Sequence, residues 1–157
     1  MAFSIRSPAF DHGREIPRQY TCEGLDTSPP LSWSDVPPNT QSLALIVEDP
    51  DAPDPAAPRR VFTHWLLYNI PPDTHELREE VKAEELPAGT AVGVNDFDKL
   101  GWGGPCPPRG RHRYFFRLYA LDRRLPNLHQ PTKARLLEAL RGHVIAEADL
   151  IGTYEKH

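Results

Sequence analysis

No stretch of this sequence is apolar for long enough to span a bilayer, and its opening residues, MAFSIRSPAF, lack the charged and apolar segments of an export signal. A soluble, cytoplasmic protein with no membrane insertion is the expectation. Long basic runs are missing too: Lys and Arg number 18 against 22 Asp and Glu, for a net charge of -4, so electrostatics gives nucleic acid no foothold. Cysteine is scarce. Cys22 and Cys106 stand alone, at a separation that fits neither a disulfide framework nor a zinc cluster. One bridge between them and two free thiols both stay open. Low-complexity tracts are absent as well, although proline is plentiful: the 18 prolines fall in short clusters along the chain, which favours many strands and turns over a helical bundle. A chain of this length buries roughly 70% of the surface its unfolded form exposes, so residues 1–157 are expected to form one domain.

The stretch that organises the rest is GWGGPCPPRGRHRYFFRLYAL, Gly101 to Leu121. Its first half is crowded with glycine and proline, the chemistry of a stiff loop. From His112 the residues alternate, with His112, Tyr114, Phe116, Leu118 and Ala120 on one face. A strand is predicted over His112 to Leu121, with His112 and Tyr114 at its mouth.

Elsewhere, Phe3 to Phe10 reads as a first strand, and Tyr20 to Thr40 as ordered loop with a brief strand near Leu31 to Trp33. SLALIVE, Ser42 to Glu48, is continuously apolar and predicts a strand covered on both faces. It runs into Asp49-Pro50-Asp51-Ala52-Pro53, where two prolines predict a fixed turn that leaves two carboxylates little freedom. VFTHWLLYNI, Val61 to Ile70, is the second strong strand, and strict alternation places Phe62, His64, Leu66, Tyr68 and Ile70 on one face. Pro71 to Pro87 is assigned mostly to loop, with a short strand within Ala88 to Val94. A helix is predicted from Thr132 to about Ala146, with Leu136, Leu137, Leu140 and Val144 at helical spacing, and a last strand over about Glu147 to Tyr154.

Asp49, Asp51, His64 and His112 all fall at strand ends, which gather at one rim of a sandwich. A lone histidine in an apolar row is more often a packed core residue than a functional one, but here two stand in equivalent places. A histidine beside a carboxylate stays protonated to higher pH. Its N–H groups, the Tyr114 hydroxyl and the loop amides around Gly103 and Gly104 would then suit a small phosphate or carboxylate. Three rivals share these residues. Cys106 as a thiol nucleophile is wedged between Pro105 and Pro107, with no helix N-terminus to lower its pKa. A two-Asp, two-His metal site lacks short-range ligand spacing, and an Asp-His hydrolase lacks an oxyanion motif.

Several motifs together carry a resemblance. DPDAP at Asp49 to Pro53, His64-Trp65 in a strand ending Asn69-Ile70-Pro71, GGPCPPRGRHRY at Gly103 to Tyr114, YTCEG from Tyr20, SPPLSW from Ser28 and GHVIAEADLIGTYE from Gly142 follow in order along nearly the whole chain. The sequence is similar to the phosphatidylethanolamine-binding protein family, in its short bacterial, Raf-kinase-inhibitor-like branch. The resemblance implies a mainly β fold, a sandwich of two antiparallel sheets with a few peripheral helices, and an anion pocket at one end for phosphate-like groups. Carried over by motif, the ligand-binding residues are Asp49, Asp51, Ala52, His64, Pro107, His112 and Tyr114, joined by Phe62 and Gly104 beside them. It further implies a non-enzymatic binder with no cofactor and no metal, which regulates a kinase, a protease or another protein partner and is able to form a homodimer. An interaction module with a vestigial pocket is the alternative. Animal members carry a tryptophan and two adjacent histidines where this chain has Phe62-Thr63-His64, and a C-terminal helix beside the pocket, so a different donor set and a more open mouth are expected here.

Overall fold

The computed structural model describes residues 2–157. In chain order its elements are β1 (Ser4–Arg6), β2 (Leu31–Ser34), β3 (Ser42–Ala52), β4 (Arg60–Ile70), β5 (Glu76–Leu77), β6 (Ala91–Val92), β7 (His112–Leu121), α1 (Lys133–Leu140) and β8 (Val144–Tyr154), with short 3-10 turns at Arg18–Tyr20 and Ala83–Glu85. The strands form two antiparallel sheets, one ordered β1-β2-β5 and the other β6-β4-β3-β7-β8. The mainly β, two-sheet architecture is therefore the one expected.

Strand β3 lies at the centre of the larger sheet, and its composition explains why. Leu43, Leu45 and Val47 pack with Ile5, Leu31 and Trp33 of the small sheet, whereas Ala44 and Ile46 pack with Leu136 and Leu140 of α1. A strand buried on both faces needs apolar side chains at consecutive positions. Trp33 of β2 also fixes the loop between β4 and β5, its indole N–H donating to the Thr74 carbonyl at 2.7 Å.

Several boundaries differ from expectation. The helix ends at Leu140, not near Ala146: Gly142 follows with φ of 81°, a left-handed residue that stops a helix. Val144, expected on the helix stripe, instead opens β8 opposite Leu121. Strand β1 is confined to Ser4–Arg6. The expected turn at Asp49 to Pro53 is largely strand, since β3 continues to Ala52 and pairs Asp49 with Phe62 and Ala52 with Arg60. Pro50 is tolerated because it falls in a register shift between those two pairs, where a strand can dispense with an amide donor.

The largest difference concerns β4. Val47 faces Trp65 and Glu48 faces Thr63, so His64 is an extra, unpaired residue; a second shift falls between the pairs Leu43–Ile70 and Leu45–Leu67, beside Asn69 at φ of 57°. Each bulge exchanges the two faces of the strand. Trp65, Leu67 and Ile70 consequently join the core between the sheets, while Leu66 and Tyr68 join the core under α1. His64 does not share its face with Leu66 and Tyr68, as strict alternation predicts, but sides with Trp65 and meets Tyr114 of β7.

Candidate functional site

At one end of the larger sheet a cavity of about 290 Å³ is lined by Asp49, Ala52, Pro53, Arg60, Phe62, His64, Phe97, Cys106, Pro107, Pro108, His112 and Tyr114. It opens where the β3–β7 ladder stops. The last backbone pair is Glu48 with Phe115, and beyond it side chains bridge the gap. Asp49 Oδ2 meets His112 Nδ1 at 2.6 Å. Asp51 takes the place of a ladder carbonyl, accepting the Arg113 backbone N–H at 2.9 Å and gripping its guanidinium at 3.0 and 2.9 Å.

The two histidines have different roles. His112 is fully buried and both ring nitrogens are committed, Nδ1 to Asp49 and Nε2 to the Arg109 carbonyl at 2.8 Å. A carbonyl only accepts, so Nε2 carries a proton. The second proton is shared with Asp49, and the pair is neutral overall. Burial raises the Asp49 carboxyl above its usual range, opposed by His112 and by the Asp51 N–H that Oδ1 accepts at 2.7 Å. His64 has no carboxylate partner. Its Nδ1 donates to the Gly103 carbonyl at 2.6 Å, which fixes the neutral tautomer with a lone pair on Nε2. Burial pushes its pKa down to about 4. Nε2 has no partner among the described residues, yet it is not sealed off from solvent and its ring lines the cavity. The expectation that histidines held charged by carboxylates would present N–H groups to an anion is thus corrected: His112 spends both internally, and His64 presents an acceptor.

Tyr114 is 1% exposed, and its hydroxyl is closed off from water with no partner. Burial, then the Asp49 and Asp51 charges, raises its pKa, so it stays a neutral donor. Its ring stands edge-on to His64 at 5.3 Å and stacks on His112 at 6.4 Å. Phe62 and Phe97 form the apolar side of the mouth, 4.8 Å apart. Arg60 lies over Phe62 at 5.0 Å and pairs with Asp96 at 3.1 Å.

Of the residues expected at the site, Asp49, Ala52, Phe62, His64, Pro107, His112 and Tyr114 line the one cavity, and two do not. Asp51 points to Arg113, which holds its carboxyl below the usual range. Gly104 is spent elsewhere, its N–H donating to Asp26 Oδ1 at 2.8 Å, and a Cβ there would collide with Asp26 and the Tyr20 carbonyl. Phe97, Arg60 and Pro108 were missed. Phe97 had a signal, an aromatic set between Asp96 and Asp98 in a turn. Asn95 holds that turn, accepting the Phe97 and Lys99 N–H groups and donating to the Gly101 carbonyl. Gly103 leaves room for the ring, because a Cβ would strike it.

Cys22 and Cys106 are joined, with Cα atoms 5.4 Å apart. The bridge fastens the loop that forms one cavity wall to the segment after Tyr20, and leaves Cys106 no free thiol. Among the described residues no group of three or more His, Cys, Asp or Glu is placed to hold a metal ion. Among the same residues no helix is long and apolar enough to cross a membrane.

The chain is similar over nearly its whole length to known proteins. A UPF0098 protein of Methanothermobacter thermautotrophicus is 51% identical over 154 residues, covering 98% of this chain and 99% of its own. Among solved structures, the candidate phosphatidylethanolamine-binding protein homologue CT736 of Chlamydia trachomatis superposes with a TM-score of 0.89 at 45% identity, covering 99% of both chains. YbcL of E. coli, described as a new member of the mammalian family, gives 0.89 at 33% identity with both chains fully covered. The family model for phosphatidylethanolamine-binding protein matches residues 6–155, and with the whole fold and its motifs accounted for, this chain belongs to that family.

Proposed function

We propose that the chain is a non-enzymatic binding protein whose cavity takes a phosphate group carried on a small organic ligand. The observation that supports this most is the His64 edge: an unpartnered ring nitrogen opening into a cavity walled in part by the rings of Phe62, Phe97 and Tyr114, the usual form of a site that fixes one polar group of a ligand. The neighbouring Asp49 does not repel an anion, because His112 neutralises it at 2.6 Å. Arg60 stands at the mouth, its charge shared with Asp96 at 3.1 Å. The cavity suits a head group with a short substituent lying against Phe62 and Phe97.

Binding is favoured over turnover by what surrounds the cavity. The Cys106 sulfur is in a disulfide, the Tyr114 phenol is held neutral, and the low basicity of His64 makes it a poor general base near neutral pH. A protein partner that responds to occupancy belongs to the same proposal: Phe97 lines the cavity and is also 40% exposed, so it can touch ligand and partner at once. Calorimetric titration with phosphoethanolamine and inorganic phosphate at pH 6, on the wild type and on His64→Ala, tests the reading. Saturable binding lost in the variant supports it. No heat from either ligand with the wild type refutes it.

A further inference from the structure

We infer that the cavity is selective for the protonation state of its ligand, admitting a phosphate ester that brings its own proton to His64 Nε2 and discriminating against the isosteric sulfate ester, which has none to bring. This rests on the phosphate-binding reading above and adds to it the ligand's charge state and the residue that selects it. The geometry dictates the requirement. The Gly103 carbonyl fixes the proton of His64 on Nδ1, leaving Nε2 as an acceptor facing the cavity. A phosphate oxygen without hydrogen would set one lone pair against another. A P–OH oxygen, by contrast, donates to Nε2.

No other group at this end supplies the missing proton. His112 from β7 has both N–H groups engaged with Asp49 and Arg109. Tyr114, also from β7, is buried and neutral. Asp49 from β3 is tied to that histidine and to the Asp51 amide. From the loop after β6, Asp96 is engaged by the Thr63 N–H at 2.7 Å and by Arg60. The wall from Gly103 to Pro108 carries no titratable side chain, because its only cysteine is in the disulfide. The complex therefore holds one proton between ligand and His64, and it arrives either on the ester monoanion or from solvent as the dianion binds.

The proton count sets the pH dependence. A phosphate monoester loses its second proton near pH 6, so its apparent affinity is flat below about pH 6 and falls about tenfold per unit above it. The sulfate ester must wait for His64 itself to be protonated. With that group titrating at about 4, about one molecule in a thousand is competent at pH 7. About one ester molecule in ten is then the monoanion, and for equal contacts the preference for phosphate is about a hundredfold.

The experiment is calorimetry with ethyl phosphate and ethyl sulfate, which carry no other hydrogen-bond donor, from pH 5 to 8, in buffers of different ionisation enthalpy, on the wild type and on His64→Gln. The expected result has three parts: a large phosphate preference at pH 7, uptake of about one proton per ethyl phosphate at pH 7.5 and near zero at pH 5, and a smaller preference with a flatter profile in His64→Gln, whose amide can offer N–H or C=O. A thermal melt confirms that the variant is folded. Phosphate and sulfate esters binding within threefold of each other at pH 7, or phosphate binding without proton uptake, overturns the inference and leaves phosphate binding intact. Absence of ethyl phosphate binding at every pH overturns the underlying reading instead.

Discussion

Replacing Tyr114 by phenylalanine should stabilise the protein and leave ligand affinity nearly unchanged, because the oxygen removed is one the fold leaves without a partner. In the unfolded chain the hydroxyl is hydrated; in the fold it is closed off from water with no partner, which costs about 1–3 kcal/mol. Phenylalanine removes that cost and keeps the ring's contacts with His64 at 5.3 Å and His112 at 6.4 Å. A small void in place of the oxygen offsets part of the gain, so the expected net is about 1 kcal/mol, or about 2–4 °C in Tm for a chain of this length. A hydroxyl closed off from water is equally closed to a ligand oxygen, so the Kd for a phosphate ester should stay within about threefold of wild type. Urea unfolding at pH 7 with an unchanged m-value gives the first quantity and calorimetric titration the second. A Tyr114→Phe protein less stable than wild type by 1 kcal/mol or more would refute the reasoning, because the hydroxyl must then be satisfied in solution.

Acid should destabilise the fold through His64. Its folded pKa of about 4 lies below the ordinary 6.5, so between those values the unfolded state binds the proton and the folded state does not. Stability is then lost as pH falls from about 6.5 to 4, by about 3 kcal/mol in all; urea midpoints of wild type and folded His64→Gln that run parallel across this window would contradict the assignment. The Cys22–Cys106 bridge spans 84 positions, so its reduction, or the paired Cys22→Ser and Cys106→Ser change, should cost about 2–4 kcal/mol, with an unchanged urea midpoint as the opposing result. Such bonds are rare in a reducing cytosol, and alkylation of the protein as it leaves the cell, followed by a thiol count, tests the cytoplasmic expectation: unpaired thiols favour it, and none disfavours it.

The parts of this fold that were legible in the sequence are those set by a single strand's own periodicity. His112–Leu121 was bounded correctly because alternation there is unbroken, and the apolar run from Ser42 announced a strand covered on both faces. Properties that belong to pairs of strands were not legible. The bulge that turns His64 toward Tyr114 exists only in the register of β4 against β3, and nothing in VFTHWLLYNI marks where the extra residue falls. The helix was drawn too long because Val144 continues its spacing, although Gly142 already carried the stop signal. Seven of the nine expected site residues line the cavity, six of them motif positions and Phe62 a neighbour of one; the fates of Asp51 and Gly104 depended on Arg113 and Asp26, distant in sequence. The cysteine pairing was undecidable for the same reason.

The bulge is also what makes the cavity selective. Regular pairing of β4 with β3 would turn His64 away from the face that carries Phe116 and leave the cavity with no free acceptor. Irregular pairing brings it beside Tyr114, and once there its tautomer is set by the Gly103 carbonyl. At the same end of the sheet the β3–β7 ladder has given way to Asp49–His112 and Asp51–Arg113, links that consume nearly every charge the motifs supply. What is left toward the cavity is one lone pair, with the Arg60–Asp96 pair at the mouth. A site built in this way cannot act as a general sink for anions, because its strongest charges are already partnered; it discriminates by where a ligand carries its hydrogen.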